Sequence, residues 1–196
     1  MISLTPLERK AILILFKDVH SYYNANNISK ILKISHVGAQ KLLKRLLKDG
    51  IVLDKKIGKS IIYRLDLNDE YVKKLLSFLL IDESKRFNRW REEFKGLSRK
   101  DQVVLLYGST IIDYEKARDI DIMIILDKKN AKEVNDALKL RQDFLPKKIH
   151  SINITKEDLI ENIKNKNKVT IEIIKNAIVL YGQDKYIDIL KNVSSI

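Results

Sequence analysis

The chain has no cysteine, only two prolines and only six glycines among its 196 residues. Without cysteine there is no disulfide framework and no thiolate metal site. So little proline and glycine argues against long unstructured stretches. No apolar run reaches the ~20 residues needed to cross a bilayer. The opening residues, MISLTPLERKAILILF, lack the basic region and small-residue cleavage site of a secretory leader. These features predict a cytoplasmic protein with no membrane partner. What is present is a hydrophobic content of 45% and a charged content of 33%, the balance of a chain with a genuine core.

Acidic residues are scarce in one half only. Residues 1–100 carry 22 Lys+Arg against 11 Asp+Glu, whereas residues 101–196 carry 16 against 15. Nearly all of the +12 net charge therefore lies in the first half. Such an asymmetry suits a polyanion partner for that half and a different task for the other. A merely solvated lysine-rich surface is the plainer reading of the same charge.

The first half reads as helices followed by a hairpin. Thr5, Pro6 and Glu8 form a helix start with a capping box, and Leu7, Ala11, Ile14 and Leu15 recur at helical spacing to about Lys17. A short helix over NISKILKI follows, with Ile28, Ile31 and Leu32 inward. In SHVGAQKLLKRLLKDG, Ala39, Leu43, Leu46 and Leu47 form an apolar stripe. Gln40, Lys41, Lys44, Arg45 and Lys48 form the opposite face, and Gly50 closes the helix. The runs Ile51–Leu53 and Ile61–Tyr63 then flank a basic tip carrying Lys55, Lys56 and Lys59.

Three helices and a hairpin, over roughly residues 4–67, resemble a winged helix-turn-helix. The resemblance implies that the third helix enters the major groove of double-stranded DNA and the wing follows the backbone. Gln40 would read a base edge, and Lys41, Lys44, Arg45, Lys48, Lys55, Lys56 and Lys59 would meet phosphates. The plainer alternative is a small helical domain that contacts protein.

From Asp69 to Leu97 the apolar positions Val72, Leu75, Leu76 and Leu79, then Phe87, Trp90 and Phe94, predict one long helix or two broken near Asp82. This connector is either a packing helix or the seam of a homodimer. The expected organisation is a winged helix over 1–67, a helical connector over 68–97 and a further domain over 98–196.

In that last segment LYGSTIIDYEKARDIDIMIIL holds the chemistry. Val103–Tyr107 reads as a buried strand and Gly108-Ser109 as a turn that a phosphate can approach. Asp119 and Asp121, two apart in the next strand, share a face. Two carboxylates held together repel unless a cation lies between them, and hard oxygen ligands suit Mg2+, the partner of nucleotide phosphates.

Strand, Gly-Ser, a nine-residue spacer and Asp-x-Asp before an apolar strand resemble the DNA polymerase beta-type nucleotidyltransferase superfamily, most of all its minimal branch. The spacer is one residue shorter than is usual there. The segment IIKNAIVLYGQDKY, Ile173 to Tyr186, is similar to the tail of that branch. The resemblance implies a mixed sheet flanked by helices. It implies Gly108 and Ser109 as nucleotide-binding residues, and Asp119 and Asp121 as metal-binding catalytic residues. Mg2+ or Mn2+ would be the cofactor and an NTP the substrate or ligand. Active members usually add a third carboxylate from a later strand. The matching strand, Lys147 to Ile154, has no Asp or Glu, and offers His150, Ser151 and Asn153 instead. Asp143 precedes it, and Glu157 and Asp158 follow in what reads as a helix start.

The chain is thus expected to be an α+β protein that binds DNA and transfers NMP from an NTP to an acceptor hydroxyl. The alternatives are a transcription regulator with a degenerate transferase fold and an antitoxin-like partner of a toxin.

Overall fold

The computed structural model describes residues 3–99 and 101–193. The chain divides into two compact units, Met1–Leu79 and Leu80–Ile196.

In the first unit, α1 spans Pro6–Lys17, α2 Ala25–Leu32 and α3 His36–Lys48. Thr5 caps α1 through a reciprocal box: Glu8 N–H donates to Thr5 Oγ1 at 3.3 Å, and Thr5 N–H donates to Glu8 Oε2 at 2.7 Å. Asn24 and Ser35 cap α2 and α3 by the one-way bond alone, accepting from the N–H groups of Asn27 and Gly38. The inward stripe of α1 is rotated from the one its spacing suggests. Ala11, Ile12 and Phe16 are buried, whereas Leu7 is 41% exposed. Phe16, the largest apolar side chain of the helix, lies one turn beyond Ile12 and carries that face into the core. On α2, Ile28 and Leu32 are buried and Ile31 faces solvent. From α3, Ala39, Leu42, Leu43 and Leu46 complete the core.

Gly50 follows α3 with φ +70°. Strands β1 (Val52–Ile57) and β2 (Ser60–Leu65) then pair antiparallel with Ile57 opposite Ser60. Gly58 and Lys59 are therefore a two-residue turn, with φ +58° at Gly58, where type II′ hairpins take glycine. Tyr63 N–H donates to Tyr23 O at 2.8 Å and ties the wing to the segment between α1 and α2. Three helices and this hairpin make a winged helix-turn-helix.

Helix α4 runs over Glu70–Lys85, and the division between the units falls within it. The break expected near Asp82 comes later, at Arg86 and Phe87, before α5 (Asn88–Glu93).

The second unit is built on β3 (Val103–Tyr107), β4 (Asp119–Ile125), β5 (Lys148–Ile154) and β6 (Ile178–Tyr181), in the order β5-β4-β3-β6. β3 runs antiparallel to β4 and β6, while β4 and β5 are parallel. Such a parallel pair needs a crossover, supplied by α6 (Ala131–Gln142). Alternation along the strands splits the apolar residues between two faces. Val104, Leu106, Ile120, Ile122 and Ile124 join Trp90, Phe94, Val134 and Leu138 in one buried cluster. Helices α7 (Lys156–Lys164), α8 (Lys168–Asn176) and α9 (Gln183–Lys191) complete the unit and bury Leu159, Ile163, Ile173, Ile174, Ile187 and Leu190. The result is a mixed sheet flanked by helices.

Candidate functional site

The site forms where β3 ends and β4 begins. The antiparallel register sets Tyr107 opposite Asp121. Ile120 and Ile122 are fully buried, so the alternation turns Asp119 and Asp121 together toward the other face. After Tyr107 the chain turns sharply: Gly108 has φ +74° and opens a short 3-10 turn over Gly108–Ile111. A Cβ at Gly108 would collide with the Asp121 carboxylate, whose Cγ would lie 3.0 Å away. Glycine is needed there for its backbone angle and for its lack of bulk. Ser109 is exposed beside it. Thr110, buried, donates from Oγ1 to the Asp119 carbonyl at 2.8 Å and ties the turn to the start of β4.

The parallel pairing of β4 and β5 sets His150 beside Asp121. His150 Nδ1 lies 3.2 Å from Asp121 Oδ1. Asp119, Asp121 and His150 each present one ligand atom, all within 4.8 Å of one another, and they are the one such cluster among the described residues. Glu157 and Asp158 lie in the first turn of α7, where Thr155 Oγ1 accepts from the Asp158 N–H at 3.1 Å. The strand expected to carry a third carboxylate thus brings an imidazole, that of His150, beside Asp121.

A cavity of about 840 Å³ adjoins these groups. Tyr107, Gly108, Asp121 and His150 line it from the sheet side, and Lys168, Glu172 and Asn176 from α8. The α8 residues repeat every four positions, so they lie along one helix face. Glu172 Oε1 accepts from Asn176 Nδ2 at 2.6 Å. Nothing in the local sequence marks α8 as part of the site, from which α7 separates it along the chain. The Tyr107 phenol is pushed up to about 12, first by burial and then by the charges of Asp121 and Asp119. It remains a neutral hydroxyl at the cavity wall.

The spacer between the turn and β4 is held from below. Lys147 Nζ donates to the carbonyls of Glu115 at 3.1 Å and Ala117 at 2.7 Å, and also to that of Tyr114. The same ammonium lies 4.2 Å from the Tyr114 ring centre, and the Arg89 guanidinium 4.3 Å from it. Of the spacer cations, Lys116 pairs with Asp113 at 3.0 Å and Arg118 is exposed.

In the first unit, Gln40, Lys41, Lys44, Arg45 and Lys48 are all exposed on α3. Arg45 differs from its neighbours. Its Nη1 lies 3.3 Å from Glu8 Oε1, and its Nη2 donates to Ser3 O at 2.7 Å. Lys55 and Lys56 lie within β1 and point to opposite faces, while Lys59 sits in the turn.

Residues 94–186 match the family model described as polymerase beta, nucleotidyltransferase. This segment is a nucleotidyltransferase domain of the polymerase beta type, joined in one chain to a winged helix-turn-helix. No curated protein matches the chain. Among solved structures, a variant of ZitR from Lactococcus lactis shares 16% identity over 48% of this chain and 63% of its own, with a TM-score of 0.38. The adhesin competence repressor AdcR from Streptococcus pyogenes shares 18% identity over 48% of this chain and 68% of its own, also with a TM-score of 0.38. The chain thus spans less than two thirds of the first of these relatives.

Proposed function

We propose that the chain is a DNA-binding protein whose second unit transfers NMP from an NTP to a hydroxyl acceptor. The observation that carries the reading is the packing of Gly108 against the Asp121 carboxylate. A phosphate received at the Gly108-Ser109 turn would lie beside the carboxylate pair that takes its cation. A divalent metal, when bound, neutralises charge on the phosphates. Asp119 and Asp121 would hold it. The turn would orient the triphosphate, and the cavity under α8 would receive the rest of the nucleotide or the acceptor. In the reaction an acceptor oxygen bonds to the α-phosphorus, the bond to the bridging oxygen breaks, pyrophosphate leaves and the hydroxyl proton is released.

The first unit would bring this chemistry to DNA. Gln40, Lys41, Lys44 and Lys48 offer the exposed face of α3 to the major groove, and Lys59 with one of Lys55 and Lys56 would follow the backbone. On α4, Tyr71 and Phe78 are 50% and 55% exposed and lie two turns apart, a stripe suited to pairing two copies on a two-fold DNA site. The domain organisation proposed is a DNA-binding module over 1–67, the connector over 68–97 and the transferase over 98–196.

The test is incubation of the pure protein with each α-labelled NTP, a divalent metal and cell extract as acceptor source. Label transferred by the wild type and not by an Asp119→Ala, Asp121→Ala double variant supports the reading. A second reading is favoured by His150 in the third ligand's place: a regulator whose transferase fold binds nucleotide without turnover. Salt-sensitive duplex binding with no transfer would select it.

A further inference from the structure

We propose that Asp119, Asp121 and His150 together form a three-ligand site for a transition-metal ion of the Zn2+ class, with His150 as the ligand that sets the choice. The proposal rests on the nucleotidyltransferase reading above and deepens it. That reading asks only for two carboxylates and a hard cation.

Geometry makes the first case. Two ligands bonded to one ion at about 2.1 Å, at tetrahedral to octahedral angles, stand about 3.0–3.4 Å apart. Asp121 Oδ1 and His150 Nδ1 are 3.2 Å apart, one edge of such a shell. Asp119 joins them in a cluster in which one ligand atom from each of the three residues lies within 4.8 Å of the other two. The backbone builds this edge, because the parallel register of β4 and β5 pairs Asp121 with His150.

Donor chemistry makes the second. Mg2+ keeps to oxygen ligands and octahedral water, whereas an imidazole nitrogen suits Zn2+ and its first-row neighbours. Three protein ligands also leave positions open for a phosphate oxygen or water, the pattern of a catalytic rather than a structural metal centre. The cavity lined by Asp121 and His150 supplies the space. The competing role for His150 is that of a base that takes the acceptor's proton. A base would leave metal affinity unchanged.

The experiment uses the full chain, stripped with a chelator and free of nucleotide. ZnCl2, MnCl2 and MgCl2 are titrated separately by calorimetry, with thermal melting in parallel. Zn2+ exceeds Mg2+ in affinity at most sites, so the wild-type order alone decides nothing. The decisive quantity is the ratio of Mg2+ to Zn2+ dissociation constants in His150→Ala and His150→Asp. The His150 side chain is 65% exposed, so both variants should fold, as circular dichroism would verify. The expected result is one Zn2+ per chain, abolished in the Asp119→Ala, Asp121→Ala variant. The ratio should fall at least about tenfold in each His150 variant, as for loss of a nitrogen donor. Mn2+ should follow Zn2+ in direction with a smaller change. An unchanged ratio, or Zn2+ retained without the two aspartates, overturns the proposal. Because no nucleotide is present, failure of NMP transfer in the labelling assay would not alter this outcome.

Discussion

Arg45 reaches from α3 to the start of α1, where its guanidinium lies 3.3 Å from the carboxylate of Glu8, a side chain only 4% exposed. A face of cations that looks uniform in the sequence is therefore divided. Arg45 neutralises a buried charge within the domain, and Lys41, Lys44 and Lys48 stay exposed on the same helix. Replacing Arg45 by alanine should leave the Glu8 carboxylate its Thr5 hydrogen bonds but take this cation away, and cost about 1–2 kcal/mol, below the full cost of a broken buried pair because Arg45 is half exposed. Lys44→Ala should leave stability within about 0.5 kcal/mol and weaken duplex binding instead. Urea denaturation and salt-dependent binding of the two variants check this. Equal loss of stability in both would contradict it.

Gly108→Ala should be the most damaging one-carbon change at the site. The residue has φ +74°, and its new methyl group would meet the Asp121 carboxylate. Backbone strain of this kind costs about 1–3 kcal/mol. The displaced carboxylate should also lower divalent-metal affinity at least about tenfold. Calorimetric titration with metal, beside a urea melt, separates the two effects. Metal affinity unchanged in a folded variant would show that Asp121 keeps its place without the glycine.

Lys147 is expected to act as a positioning residue. It holds the carbonyls of Tyr114, Glu115 and Ala117, just ahead of Asp119. In Lys147→Met the amides of residues 113–118 should exchange hydrogen faster by at least about tenfold, a local loosening of about 1.4 kcal/mol. Lys148→Met, at an exposed neighbour, is the control. Exchange unchanged in the Lys147 variant would rule out the tether.

Alkaline pH should destabilise both units. The phenols of Tyr23 and Tyr186 are raised chiefly by burial, and that of Tyr23 further by Asp18, to whose Oδ2 it donates at 2.6 Å. A phenol raised in the folded state favours folding fully below its unfolded value of about 10, and that contribution is lost as pH rises through the folded value. Melting temperature should hold steady to about pH 9.5 and fall above about pH 10. Tyr23→Phe should lower it at neutral pH and flatten the alkaline decline in the first unit. A melting curve unchanged to about pH 11.5 would contradict the assignment.

The parts of this structure that were legible in the sequence are those set by local periodicity and local turns. Asp119 and Asp121 share a face because strand residues two apart do so. Gly50, Gly58 and Gly108 stand at positive φ where the apolar pattern breaks. Thr5 with Glu8 announced the start of α1, and Glu157 with Asp158 that of α7. What could not be read depends on pairing between distant segments. His150 was one of three polar candidates on its strand, and it is the parallel register of β5 on β4 that selects it. Lys168, Glu172 and Asn176 join it through the placement of α8, and Arg45 is claimed by Glu8, 37 positions earlier. The spacing in α1 marked the helix but not its buried face: Phe16 is buried by its neighbours in space, and helical spacing alone does not rank the faces.

That same parallel register gives position 150 an outsized place in the history open to this domain. Histidine and aspartate codons differ in their first base alone. One base substitution would exchange the nitrogen donor beside Asp121 for a third carboxylate, with β4, the Gly108 turn and the sheet order untouched. An all-oxygen site is therefore one mutational step away, and on the proposed metal assignment the two forms would share a fold while favouring different ions.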